Sequence, residues 1–168
     1  MDDEVLSRLV DERAIERVLH RYARSIDRAD RDGIVSVFHP DAIDHHGGMD
    51  GTPEELAAYT IDSVHSRYAA SAHYLTNITV DVAGDLAFSE AYFIGMHLRT
   101  DGAGHQVIDW MGGRYLDRFE RRDGEWRIAE RTVVQDWDSE EQVQRVERWR
   151  GGVFRQGQRF PDDLVYAR

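Results

Sequence analysis

The run Ser71-Ala72-His73-Tyr74-Leu75-Thr76-Asn77-Ile78-Thr79-Val80-Asp81-Val82 is where the period of the chain changes. Ala72, Tyr74, Thr76, Ile78, Val80 and Val82 alternate with more polar neighbours, which is the period of two that a strand imposes. Upstream the period is helical. Ile15, Leu19, Tyr22 and Ile26 recur at spacings of four, three and four, one apolar stripe on a helix from Val5 to about Ala29. Asp32-Gly33 breaks that pattern, and Ile34 to Phe38 reads as a short second helix closed by Pro40. Thr52-Pro53-Glu54-Glu55 supplies a cap, a first-turn proline and a capping-box glutamate for a helix running to about Arg67.

Downstream, four long strands are predicted at about 70–82, 86–99, 105–121 and 125–137, separated by Gly84-Asp85, Asp101-Gly102 and Asp123-Gly124. Gly112-Gly113 inside the third predicts a bulge or bend that lets the sheet curl around a cavity. Ser139 to Trp149 reads as a capped terminal helix, and Gly151-Gly152 sets off a tail. Helices first and an antiparallel meander afterwards make the fold class α+β. At 168 residues one domain is expected over 1–150, with 151–168 as a tail able to pack on a neighbouring subunit.

Composition removes whole mechanisms. The chain carries 21 basic and 32 acidic side chains, a formal net charge of −11, and every basic residue is arginine. Without lysine there is no Schiff base, no pyridoxal-phosphate anchor and no phosphate-loop lysine. Without cysteine there is no thiol nucleophile, disulfide or thiolate-bound metal. The negative balance disfavours nucleic acid. No apolar run reaches the roughly 20 residues of a membrane helix, and Met1-Asp2-Asp3-Glu4 lacks the order of a signal peptide. A cytoplasmic protein with no membrane or nucleic-acid partner is the expectation.

The chemistry must therefore come from histidines, carboxylates, hydroxyls or water. Asp27 lies near the end of the first helix, where a carboxylate faces the negative end of the helix dipole and needs a compensating donor. His73 lies in the first long strand. An aspartate accepting from one imidazole nitrogen fixes the tautomer and makes the other a better base. The plainer alternative pairs Asp27 with Arg24, Arg28 or Arg31 and leaves His73 as a satisfied sheet histidine. Asp44-His45-His46 invites a metal, but adjacent strand residues point to opposite faces and no accompanying ligand spacing is present, so no metal is expected. His97 sits in a later strand and could reach a pocket, though a lone strand histidine is more often packing or surface, and Trp126, Trp137, Phe93 and Tyr115 read as core. No dinucleotide, phosphate-loop or nucleophile-elbow pattern occurs, and no cofactor is implied.

Three segments together resemble the SnoaL-like branch of the nuclear-transport-factor-2-like superfamily. They are Tyr22 to Asp30, His73-Tyr74-Leu75-Thr76-Asn77, and Gly113 to Phe119 followed by Asp123-Gly124-Glu125-Trp126-Arg127-Ile128-Ala129-Glu130-Arg131. The resemblance runs from roughly Asp11 to Trp137. It implies a cone: a curved antiparallel sheet wrapped around the long N-terminal helix and enclosing a pocket. The branch includes cofactor-free lyases such as scytalone dehydratase, bile-acid dehydratase and hexachlorocyclohexane dehydrochlorinase. By motif, Asp27 and His73 fall at the family's aspartate and base, Arg131 at an arginine favouring the departing group, and Tyr22 where the dehydrochlorinase has lysine. A phenol there favours an oxygenated substrate over a halide. The implied function is a dehydratase-like lyase acting on a hydrophobic, ring-containing small molecule. The alternatives are an isomerase or aldol cyclase using the same pair, or a non-catalytic binding module or small subunit of an aromatic-ring dioxygenase. Relatives form trimers or dimers, so a homo-oligomer is expected. One tension stands in the sequence itself: strict alternation puts His73 opposite Tyr74 and Ile78, unless a bulge intervenes or the apolar set is not the pocket wall.

Overall fold

The computed structural model describes residues 2–143 and 155–167. Helix α1, Asp3–Arg28, buries Ile15, Leu19, Tyr22 and Ile26, the stripe the sequence announces. Asp2 caps its start, and it ends with Ala29 in the left-handed region at φ 55°. Asp30 then caps α2, Arg31–Ser36, by accepting from the Gly33 N–H at 2.9 Å. Only glycine fits there, because a Cβ on Gly33 would stand 2.3 Å from Ser25 Oγ. The predicted second helix is therefore shifted: Phe38 and Pro40 belong to strand β1, Phe38–His45. Pro40 is tolerated because the β1 ladder is irregular between Phe38 and Ile43, where a missing N–H costs no regular bond.

A two-residue strand β2, Asp50–Gly51, pairs with β1. Thr52 and Glu55 form the expected capping box on α3, Pro53–Tyr59, which continues through a π turn, Thr60–Val64, into α4, His65–Arg67. The four long strands are β3, Ala70–Ala83; β4, Leu86–Thr100; β5, Gln106–Arg122; and β6, Glu125–Val143. They form one six-stranded sheet in the order β2-β1-β6-β5-β4-β3. The meander is antiparallel, but β1 pairs parallel to β6, so the curved, unclosed sheet is mixed rather than antiparallel throughout.

Two irregularities shape the concave face. Between Thr76 and Thr79, β3 carries one residue more than β4, and Asn77 sits at φ 46°. The bulge exchanges the faces of β3: His73 and Leu75 point inward before it, Ile78, Val80 and Val82 after it, and Tyr74 is left exposed. Strict alternation fails for that reason. At Gly112/Gly113 the β5–β6 register shifts again. A Cβ on Gly112 would lie 2.2 Å from the Trp137 ring and one on Gly113 2.1 Å from the Val134 carbonyl oxygen. Trp137, expected in the core, is 47% exposed, lying outside over Gly112.

The expected helix from Ser139 does not begin there. Residues up to Val143 extend β6, because the long β5 offers partners down to Gln106 and Glu141 accepts from Trp110 Nε1 at 3.2 Å. The remainder of that expected helix lies outside the described residues. The tail's described residues, 155–167, include two ties to the body of the fold: Phe160 N–H donates to the Arg28 carbonyl at 2.7 Å and Arg159 to the His65 carbonyl at 3.0 Å.

Along α1, Asp11 accepts from Trp126 Nε1 and from Arg121, both at 2.8 Å, which ties the helix to the β5–β6 hairpin. Gly113→Ala is expected to lower stability by about 1–3 kcal/mol, since a methyl must displace the β6 backbone. Urea unfolding checks this, and an unchanged midpoint would contradict it.

Candidate active site

A cavity of about 280 Å³ opens between the concave sheet, the second half of α1 and the α3–α4 segment. Ile26, Leu56, Val64, Phe93, Met111 and Val133 supply apolar lining, and three histidines, His46, His73 and His97, are its titratable imidazoles. Among the described residues no Asp or Glu lines it directly.

Asp27 and His73 meet beside this cavity. Asp27 Oδ1 lies 2.7 Å from His73 Nδ1, and Asp27 Oδ2 accepts from the His73 backbone N–H at 2.9 Å. β3 is an edge strand, so the second bond satisfies a donor that has no strand beyond it. Two donors thus compensate a carboxylate in the last turn of α1, where the dipole alone would disfavour it. The grip fixes both the position and the ring of His73. With Nδ1 committed to a carboxylate, its proton belongs on Nδ1, and Nε2 is left as the lone-pair nitrogen for a ligand. Gly95, opposite His73 on β4, keeps the space clear: a Cβ there would lie 3.1 Å from the His97 ring. His65 holds the end of α1 from beneath, its Nε2 donating to the Ile26 carbonyl at 2.6 Å. Burial lowers its pKa, so it serves as a neutral donor.

Tyr22 lines the cavity, but Arg131 does not. The arginine is fully buried and forks onto Asp117 at 2.6 and 2.7 Å. The resemblance implies contact with a departing group; the register explains why the side chain stays beneath the wall. Arg131 on β6 is opposite Asp44 on β1 and Asp117 on β5, so a carboxylate stands on the strand to either side. Its guanidinium carbon lies 4.0 Å from the Tyr22 ring centre and 4.3 Å from that of Tyr115, and both rings line the cavity. Burial opposes the Arg131 charge, but the surrounding carboxylates outweigh it and hold its pKa above the ordinary range. Burial also raises the Tyr22 phenol well above its ordinary value, with Tyr115 adding and Arg131 opposing. Tyr22 is therefore a proton-bearing donor.

His97, read from sequence as packing or surface, is buried in the cavity wall with its ring edge-on to His73 at 5.3 Å and against Tyr68 at 4.9 Å. Burial first, then the neighbouring His73, lowers its pKa to about 4. The signal was the hairpin register: counting outward from Gly84-Asp85 and allowing for one extra residue sets His97 diagonal to His73. His46 also lines the cavity and bonds Asp44 at 3.0 Å, whereas His45 turns away to Asp50 and Glu130. Among the described residues no group of three or more His, Asp or Glu is placed to hold a metal ion.

No protein of curated function matches the chain. Solved structures share its fold. A candidate scytalone dehydratase of Novosphingobium aromaticivorans DSM 12444 is 21% identical, with a TM-score of 0.70 over 85% of this chain and 93% of that one. The type 3 hexachlorocyclohexane dehydrochlorinase of Novosphingobium barchaimii LL02 is 19% identical, with a TM-score of 0.72 over 81% and 93%. A candidate aromatic ring hydroxylase of Novosphingobium aromaticivorans is 27% identical, with a TM-score of 0.67 over 79% and 94%. A nuclear-transport-factor-2-like protein of Salmonella enterica shares the fold at a TM-score of 0.65 over 74% and 89%, with 19% identity. The SnoaL-like domain model matches residues 7–132, three-quarters of the sequence, and the chain belongs to that family.

Proposed function

We propose that the protein is a cofactor-free, dehydratase-like lyase for a hydrophobic, ring-containing small molecule that carries an oxygen leaving group. The observation that supports this most is the double hydrogen bond from Asp27 to His73, which presents one imidazole nitrogen to a largely apolar cavity. His73 Nε2 takes the proton next to a carbonyl. The Asp27 carboxylate stabilises the imidazolium that forms. Tyr22, a phenol that keeps its proton, donates to the developing oxyanion, and the Arg131 charge behind its ring strengthens that donation. Arg131 is thus a positioning residue. His97, neutral above its lowered pKa, completes the wall as an uncharged hydrogen-bonding group. Neutrality at this position matters, because a cation in contact with the His73 ring would oppose its taking up a proton.

The probe is β-hydroxytetralone, a bicyclic β-hydroxyketone that becomes naphthol on losing water and is followed by absorbance. Wild-type protein is expected to dehydrate it, and His73→Ala to lose about 10²–10⁴-fold in turnover. Near-wild-type turnover by that variant contradicts the assignment.

His97 also makes stability depend on pH. Its folded pKa of about 4 lies below the ordinary 6.5, so the unfolded chain takes up the proton first. Its neutral burial therefore costs nothing above pH 6.5, and stability falls as pH drops from 6.5 toward about 4. The loss is on the order of 3 kcal/mol. His97→Phe is expected to flatten that part of the profile in urea titrations at stepped pH. An equal slope in both proteins would contradict the neutral, buried histidine.

A further inference from the structure

The cavity wall contains a second Asp–His pair. Asp44 is the next-to-last residue of β1 and His46 the first beyond it, and the extended backbone there still turns both to one side, while His45 between them turns to the other. His46 Nδ1 lies 3.0 Å from Asp44 Oδ1. The His46 backbone N–H donates to the Met49 carbonyl at 2.8 Å, which closes the turn through Gly47, at φ 70°, and seats the ring at the cavity edge. As with His73, a committed Nδ1 leaves Nε2 for a ligand.

Charge gives this pair a direction. Asp44 is fully buried in the row Asp44–Arg131–Asp117, and the guanidinium fork is spent on Asp117. Asp44 Oδ2 and Arg131 Nη1 have no hydrogen-bond partner. One guanidinium against two carboxylates leaves one negative charge in excess, and His46 is the group bonded to the uncompensated carboxylate. A proton on His46 neutralises the row in a place where unpaired charge is costly. Exposure fits the same role: the His46 side chain is 31% exposed against 8% for His73, so His46 can be reloaded from solvent.

We propose that His46, oriented by Asp44, is a second catalytic residue of this cavity, the proton donor to the departing oxygen. The assignment rests on the lyase reading above. In the step, His73 Nε2 takes the proton from carbon, and the electron pair of that C–H bond forms the new C=C bond. The C–O bond breaks, and its oxygen takes the proton from His46 Nε2–H, giving alkene and water. The proton on His73 then returns to solvent and His46 takes one up, so the cycle closes without any other reactant.

Two probes that differ in the leaving group test this. β-Hydroxytetralone must lose a hydroxyl that needs a proton, whereas β-acetoxytetralone loses acetate, which does not. His46→Gln is expected to slow the hydroxy probe by about 10²-fold or more and the acetoxy probe by less than about threefold. His73→Ala should slow both. Equal losses on the two probes, or an unimpaired hydroxy rate in His46→Gln, overturn the assignment. If His73→Ala is inactive while His46→Gln is unimpaired, His46 alone is overturned. A wild type inactive on both probes removes the lyase reading and this role with it.

Discussion

One carboxylate joins the two halves of this fold. Asp27, in the last turn of α1, accepts from both the backbone N–H and the Nδ1 of His73 on the edge strand β3. The helix end, the sheet edge and the cavity imidazole are thereby set relative to one another by a single side chain. The surrounding pieces serve the same junction. Ala29 in its left-handed cap turns the chain away, His65 and Phe160 satisfy the Ile26 and Arg28 carbonyls, and the Asn77 bulge turns His73 inward without exposing Ile78. Weaken that carboxylate, and the edge strand keeps an unpaired donor while the ring loses its orientation.

The second organising element is electrostatic and lies beneath the cavity wall. Arg131 is held between aspartates on both adjacent strands and between the rings of Tyr22 and Tyr115. In a chain without lysine this position shows what arginine alone provides: a planar cation that forks onto one carboxylate while stacking between two phenols. Those rings line the cavity, and Asp44, across from Arg131 on the neighbouring strand, bonds His46. A buried ion pair of this kind is weak evidence for stability, since desolvation offsets most of its attraction. Its proposed value is that it sets the electrical character of the wall.

Much of this was legible in the residues. The stripe on α1, the capping box at Thr52, the hairpin turns and the Gly112-Gly113 bulge each follow from local chemistry that the sequence spells out. What stayed hidden needed long-range partners. β1 was masked by Pro40, which is harmless only because the ladder with β6 is irregular there. The continuation of β6 to Val143 depends on β5 being equally long. Residue type and the position of Asp27 at the helix end made its pairing with His73 a candidate, and the resemblance favoured it; alternation spoke against it, because the bulge at Asn77 has no local signal in the sequence. Arg131 lies deeper than the resemblance implies, since its burial follows from register with Asp44 and Asp117. His97 looked solitary in sequence and meets the His73 ring only across the strands, while Asp44-His45-His46 was weighed as a metal site although His46 bonds Asp44 just two residues away.

The central claim is that Asp27 holds His73 with its proton on Nδ1 and its lone pair on Nε2, facing the cavity. Nitrogen NMR of the histidine rings in labelled protein, above neutral pH, reads this directly. Expected is a His73 ring with a protonated Nδ1, shifted by a strong hydrogen bond, and a bare Nε2, a pattern lost in Asp27→Asn. A His73 ring protonated on Nε2 in the wild type, or one unchanged by Asp27→Asn, would contradict it.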